Sequence, residues 1–329
     1  MDNLHSSQSF TCLSRIFRKM FVRNILRRPR LVQCCIRCLE RRKLSTDSNA
    51  VNLSYYSYEK KVDGAVEQQP VIILHGMMGS KQNWQSLAKV FGKSGRKVVA
   101  LDARNHGESD HTEEMNYFLL RDDVLRLMDQ QELEQAVLMG HSMGGKTAMT
   151  TALTNAERVA GLIVVDISPA VSPSVNKTPA YLEAMLRISL SFSDLNGEDS
   201  SPSMSQVRQQ IINDLAVAVQ DEAMRHFLAS NLTIRDNKLS WKCNLDAIIN
   251  NLHDLSSFPL FEEEQYYGRC LFIGGGNSDY IREEHYPLIK SLFPLAETQH
   301  IPDAGHWVHS EKPQQFIHVV NAFLKDAGL

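Results

Sequence analysis

Ala136-Val-Leu-Met139 followed by Gly140-His141-Ser142-Met143-Gly144-Gly145 is the stretch on which the reading of this chain turns. Four consecutive apolar residues have the character of a short strand buried on both faces. A helical pattern over 144–155, with Ala148 and Ala152 on one side, follows at once. A Gly-x-Ser-x-Gly run is common by chance, but at a strand-to-helix junction it describes a nucleophile elbow. The tight turn strains the backbone at the serine and leaves no room for Cβ atoms beside it, hence the glycines. It lifts the hydroxyl above the sheet, and the helix that follows aims its N–H groups and positive dipole end at a reacting carbonyl.

Working outward, short apolar runs alternate with helical ones. Val71–Leu74, Lys97–Leu101, Gly161–Val165 and Cys270–Ile273 read as further strands, and Thr298–Ile301 as the last one. Helices are expected near 81–93 and 116–131, and from Pro313 at a first turn to about Lys325. Such alternation implies right-handed βαβ units and an α/β fold with a mostly parallel central sheet flanked by helices. The rhythm breaks between about 170 and 267. Three helices, near 179–190, 205–217 and 219–230, surround a polar insert at 193–203. A helical insertion after a strand's carboxyl end sits over the crevice of an α/β enzyme, so the segment reads as a lid; a separate helical domain is the alternative. Tyr181, Leu182, Met185, Leu186 and Ile188 offer it an apolar face, for core packing or for an acyl tunnel.

Three loops at strand ends agree with the elbow. His75-Gly-Met-Met-Gly79 is placed to supply half of an oxyanion hole, with the backbone N–H groups of Met77 and Met143 as the two donors. Asp102-Ala-Arg104-Asn-His106-Gly107-Glu-Ser109 reads as a supporting loop whose charged side chains bond to backbone. Asp303-Ala-Gly305-His306-Trp307, between the last strand and the last helix, delivers the general base, His306. Of the competing histidines, His75 and His106 have glycine neighbours that suggest backbone-shaping roles. His141 is aimed away from the serine hydroxyl, and His309 lacks the Ala-Gly-His setting.

Over roughly 51–329 these motifs resemble the α/β-hydrolase superfamily. His75-Gly-Met-Met-Gly79, Gly-His-Ser142-Met-Gly-Gly, Val-Asp166-Ile-Ser-Pro169 and Trp241-Lys-x-Asn244-Leu-Asp246 together resemble, within it, the mitochondrial α/β-hydrolase domain-containing protein 11 group and its bacterial esterase relatives. The resemblance implies serine-dependent hydrolysis of acyl esters, with lipid esters such as diacylglycerol as the substrate class, and a mitochondrial address. The family's usual acid follows the next-to-last strand, a few residues after a glycine. Here that loop is Gly274-Gly-Gly-Asn277-Ser278-Asp279, which puts Ser278 on the acid position and Asp279 one beyond. Asp166, at the end of the strand after the nucleophile helix, is the first choice for the triad acid. Asp246, where the insertion returns to the sheet, is the second, and Asp279 is the third. Each also has a structural role open to it: Asp166 at the insertion's entrance, Asp246 as the cap of a helix over 247–252.

Composition bounds the rest. With 329 residues, 43% hydrophobic and 22% charged, the chain has the make-up of an ordinary globular protein. Its net charge of −3 conceals a basic head: residues 1–45 carry eleven Lys/Arg against Asp2 and Glu40, and the remainder carries −12. Arg-rich, Ser-bearing and poor in acids, with charge breaking every apolar run, residues 1–45 read as a mitochondrial targeting segment, most naturally for the matrix. A basic arm for anionic lipid or nucleic acid is the alternative. The hydrolase domain is then 46–329, its lid about 170–267. No stretch approaches a membrane span. Four of six cysteines lie in the head, leaving Cys243 and Cys270, too few for a disulfide framework. The Cys34-Cys35-x-x-Cys38 group has no second ligand pair to make a metal site. The expected chemistry needs no cofactor or metal, and the expected partner is a small-molecule acyl ester or lipid, with no nucleic acid. No protein partner is readable. A thioesterase or protein deacylase would use the same triad, and a non-catalytic scaffold binding a partner protein is the alternative of a different class.

Overall fold

Runs in which every side chain is apolar become strands covered on both faces by helices. The computed structural model describes residues 49–60, 68–188, 203–236 and 238–329. The strands are β1 (Tyr55–Tyr58), β2 (Val71–Leu74), β3 (Val98–Leu101), β4 (Ala136–His141), β5 (Val159–Val165), β6 (Leu232–Arg235), β7 (Lys238–Trp241), β8 (Cys270–Gly275) and β9 (Ala296–Ile301). Seven of them form one sheet in the order β1-β3-β2-β4-β5-β8-β9. All its pairings are parallel except β1 with β3. The targeting segment expected over 1–45, its cysteines included, lies outside the described residues.

The helices are α1 (Gln85–Phe91), α2 (Tyr117–Gln130), α3 (Met143–Thr154), α4 (Thr178–Arg187), α5 (Met204–Leu215), α6 (Glu222–Ala229), α7 (Leu245–Asn250), α8 (Leu252–Ser256), α9 (Tyr286–Leu292), α10 (Val308–Glu311) and α11 (Pro313–Asp326). Strand alternation sorts the core into two layers. Ile72, Leu74, Val99, Leu101, Leu138 and Val164 pack with α2 and α3. Val71, Ile73, Val98, Val137, Met139 and Ile163 pack with α1 and α11. Each such side chain contributes about 1.5–3 kcal/mol on burial. The polar-aromatic β1 carries no apolar run and was not legible as a strand.

Between β5 and β8 lies the insertion. Ser203 caps α5 in a reciprocal pair with Gln206, and Asp221 caps α6. Most of the polar insert expected at 193–203 falls outside the described residues. The β6–β7 hairpin, turning at Asp236 with φ 50°, was not foreseen. Leu182 and Met185 of α4, Val207 and Ile211 of α5 and Leu228 of α6 are buried in the same continuous core as one face of the sheet. The insertion therefore packs as part of the same body as the sheet. Leu186 is half exposed.

Candidate active site

At the elbow the sequence leaves the backbone no choice. Ser142 sits at φ 52°, ψ −119°, a conformation that side chains pay strain to hold. Methyl groups at Gly140 and Gly144 would collide with the backbone of Gly144 and of Leu74. The Ser142 N–H donates to Val165 O at 3.0 Å, and its carbonyl accepts from Lys146 N at 3.0 Å, starting α3.

The carboxyl ends of β2, β5, β8 and β9 converge here. A methyl group on Gly76 would lie 2.9 Å from His141 Nδ1 and 3.2 Å from Ser142 Cβ, so the loop after β2 runs directly past the serine. Met143 opens α3, where an N–H has no partner within the helix. Among the described residues, neither its N–H nor that of Met77 donates a hydrogen bond. Two unused backbone donors thus flank the elbow.

Asp166, fully buried and at φ 48°, ends β5. Its Oδ1 accepts from Gly275 N at 2.8 Å, and its Oδ2 accepts from Ser278 Oγ at 2.5 Å and from His306 Nδ1 at 2.7 Å. The serine on the usual acid position is therefore a partner of Asp166 rather than a substitute for it. Asp246 is exposed in the first turn of α7, and the cap of that helix is Asn244, which accepts from Ala247 N at 3.2 Å. The helix expected over 247–252 thus starts earlier and has a different cap. Asp279 accepts from Ser172 Oγ at 2.9 Å. Neither Asp246 nor Asp279 bonds to His306.

His306 is held from several sides. Glu311 accepts from Gly305 N and Trp307 N at 2.7 and 3.2 Å, clamping the loop. The Tyr280 ring stacks on the imidazole at 4.1 Å, and His141 packs against it at 4.6 Å while its Nε2–H donates to the His306 carbonyl at 2.9 Å. The structure thus brings His306 to the elbow through the residue next to Ser142. The Ser142 hydroxyl itself makes no hydrogen bond among the described residues, a common state for such a group without substrate. Sequence reasoning missed Tyr280, Glu311 and this use of His141; only the location of His141 beside the serine hinted at it.

The four competing histidines are buried, and burial pushes each below its ordinary value: His106 and His309 to about 3, His141 well below, His75 in the same direction. His75 Nε2 accepts from Ala103 N and His106 Nε2 accepts from Met78 N, both at 3.0 Å. Each ring uses its Nδ1–H on a backbone carbonyl, Gly76 O and Arg104 O. His309 stacks on Trp84 at 4.0 Å.

The insertion closes on this rim. Phe227 of α6 packs on Trp307 at 5.6 Å. The buried Lys146 of α3, lowered to about 8 by burial, donates to Ser256 O and Ser257 O at 2.9 and 2.7 Å, tying down the insertion's return.

Comparison with known proteins gives consistent results. The family described as alpha/beta hydrolase fold matches residues 69–313. A Xenopus laevis protein named sn-1-specific diacylglycerol lipase ABHD11 is 42% identical over 291 residues, covering 86% of this chain and 88% of that one. Its namesake in Danio rerio is 40% identical over 279 residues, covering 84% of each. Among solved structures, a marine microorganism esterase superposes with a TM-score of 0.75 at 32% identity, over 83% of this chain and 100% of that one.

Proposed function

The chain belongs to the α/β-hydrolase family, and from that premise we propose that it hydrolyses carboxylic esters of lipids, diacylglycerol among them, through an acyl-enzyme on Ser142. The observation that carries this reading is the 2.7 Å bond between buried Asp166 and the His306 ring beside the strained elbow. With Nδ1–H committed to Asp166, Nε2 of His306 is the free base. Ser142 Oγ attacks the ester carbonyl as Nε2 takes its proton, and Asp166 stabilises the imidazolium. The oxyanion accepts from the N–H groups of Met77 and Met143, each such donor contributing about 2.7–4 kcal/mol in the transition state. Collapse expels the alcohol, protonated by His306. Water, deprotonated in turn by His306, then releases the fatty acid and restores Ser142.

The diacylglycerol preference rests on the names of the vertebrate relatives. The insertion over about 170–267 serves as a lid, a role supported by its contact with Trp307. Residues 1–45 direct the chain to the mitochondrial matrix, supported by their +9 charge and lack of an apolar core; fusion to a fluorescent protein tests this, and cytosolic fluorescence would refute it.

The activity is tested with a fluorophosphonate probe and with diacylglycerol labelled at either acyl position. Wild type should react with the probe and release labelled fatty acid, and Ser142→Ala should do neither. Ester turnover surviving in Ser142→Ala within tenfold of wild type, or no turnover in wild type, would overturn the reading.

A further inference from the structure

Gly76 to Gly79 form a tight turn, closed by Gly79 N–H donating to Gly76 O at 2.9 Å. Its third residue, Met78, sits at φ 59°. A turn of this kind takes glycine there; a side chain at positive φ is strained and tends to relax by flipping the central peptide. That flip would reorient the segment carrying the Met77 N–H. Two bonds fix the peptides on either side of Met78. His106 Nε2 accepts from Met78 N–H at 3.0 Å, and the Met78 carbonyl accepts from Asn231 Nδ2 at 2.8 Å. Asn231 comes from the insertion, between α6 and β6, and is 2% exposed. Its own orientation is set from behind: Oδ1 accepts from Cys243 Sγ at 2.8 Å, and burial pushes that thiol up to about 12, so it stays a donor. An amide with its oxygen held by a thiol presents only its NH2 to Met78.

We propose that Asn231 is a positioning residue for ester hydrolysis: it reaches from the insertion to hold the Met78 peptide, and through it the Met77 N–H, in oxyanion-binding geometry. The inference rests on the serine-hydrolase reading above. It gives the insertion a part in catalysis besides covering the site, and it gives a task to Cys243, which lies inside the Trp241–Asp246 motif.

The test measures kcat, KM and thermal midpoint for Asn231→Ala, with the affinity of a trifluoromethyl ketone that forms a tetrahedral adduct on Ser142. Wild-type hydrolysis abolished by Ser142→Ala first secures the underlying reading, so that its failure is seen separately. Asn231→Ala should lower kcat about tenfold with KM little changed, and weaken the ketone by a similar factor. In a Met78→Gly background, where positive φ carries no strain, the same substitution should cost less than about threefold. Cys243→Val, which removes the donor behind Asn231, should lose about threefold in kcat while Cys243→Ser keeps wild-type turnover, an arm that stands should Asn231→Ala not fold. A fall in thermal midpoint with kcat per folded molecule and ketone affinity unchanged would overturn the proposal. So would equal losses with and without the Met78→Gly substitution, or equal turnover in the two Cys243 variants.

Discussion

Two aspartates end strands of the same sheet after similar apolar runs: Asp102 after β3 and Asp166 after β5, each no more than 1% exposed. Their surroundings part company. Asp102 accepts from the Lys81 ammonium at 2.5 Å and from the N–H groups of Lys81 and Glu108 at 2.6 and 3.0 Å. Gly107, at φ 58°, lies so close that a methyl group on it would collide with this carboxylate. Asp166 meets a backbone N–H, a serine hydroxyl and one imidazole. A fixed cation consumes the first carboxylate in holding a loop together. An imidazole faces the second, the arrangement that the proposed proton transfer from Ser142 requires. The end of a parallel strand brings an aspartate near the site, but the charge that faces it decides what it does.

The contrast breaks most visibly at Asp166. Asp166→Asn keeps a side chain that tolerates positive φ, so the fold should survive with its melting temperature little changed, while kcat falls about 10⁴-fold through loss of the imidazole's acceptor. A loss below tenfold, measured on labelled diacylglycerol, would move the acid elsewhere.

Asp102→Asn should show the opposite pattern. It leaves a buried ammonium with only the exposed Glu108 carboxylate at 2.7 Å and the Ser54 hydroxyl at 2.9 Å, and should destabilise the protein by about 3 kcal/mol in denaturant titrations, with kcat per folded molecule within about tenfold of wild type. Lys81→Met added to it should restore part of the stability. Burial pushes the Asp102 carboxyl up, but the His75 ring, the Lys81 ammonium and the two backbone donors outweigh it and hold the group below the usual carboxylate range. Its stabilising effect is therefore present above its unfolded pKa of about 4 and lost as pH falls through the folded value.

His309 sharpens the comparison from the histidine side. Its folded value of about 3 lies below the unfolded 6.5, so the unfolded state binds more protons between the two and stability declines as pH falls through 6.5. His309→Phe should flatten that dependence by about 1.4 kcal/mol per pH unit between those limits. An unchanged slope would mean the ring is already charged in the fold.

The smallest effects belong to the other two aspartates. Asp246→Asn and Asp279→Asn should keep kcat within about threefold, with losses of no more than about 1–2 kcal/mol, as befits a first-turn charge and a carboxylate bonded to the hydroxyls of Ser172 and Ser174. Collapse of turnover in either would undo the distinction between them and Asp166.

Much of this was legible in the residues alone. The apolar runs of β2 to β5 and β8 announce themselves because buried parallel strands need no alternation, while the polar edge strand β9 was read from its place before the His306 loop. The tyrosine-rich β1 and the β6–β7 hairpin do not, since an edge strand and an insertion hairpin make their place through pairing with what lies beside them. The insertion's helices were visible by period, yet Leu182 and Met185 look the same in sequence whether they line a tunnel or fill a core; the structure buries both.

What the sequence by itself determined is the core of the elbow: Gly140 is selected by a clash with the backbone of Gly144, four residues on, and Ser142 by its place in that turn, whereas the clash that selects Gly144 is with Leu74 of the neighbouring strand. It also set out three aspartates at loop ends, and no local rule separates them. Only the tertiary structure brings Asp166 to His306, 140 residues away, because the order β4-β5-β8-β9 lays the ends of β5 and β9 on either side of the glycine loop after β8. The same holds for Asn231 and Met78, 153 residues apart. Contacts of that span depend on how the whole chain buries its apolar faces, a condition that no short stretch of residues contains.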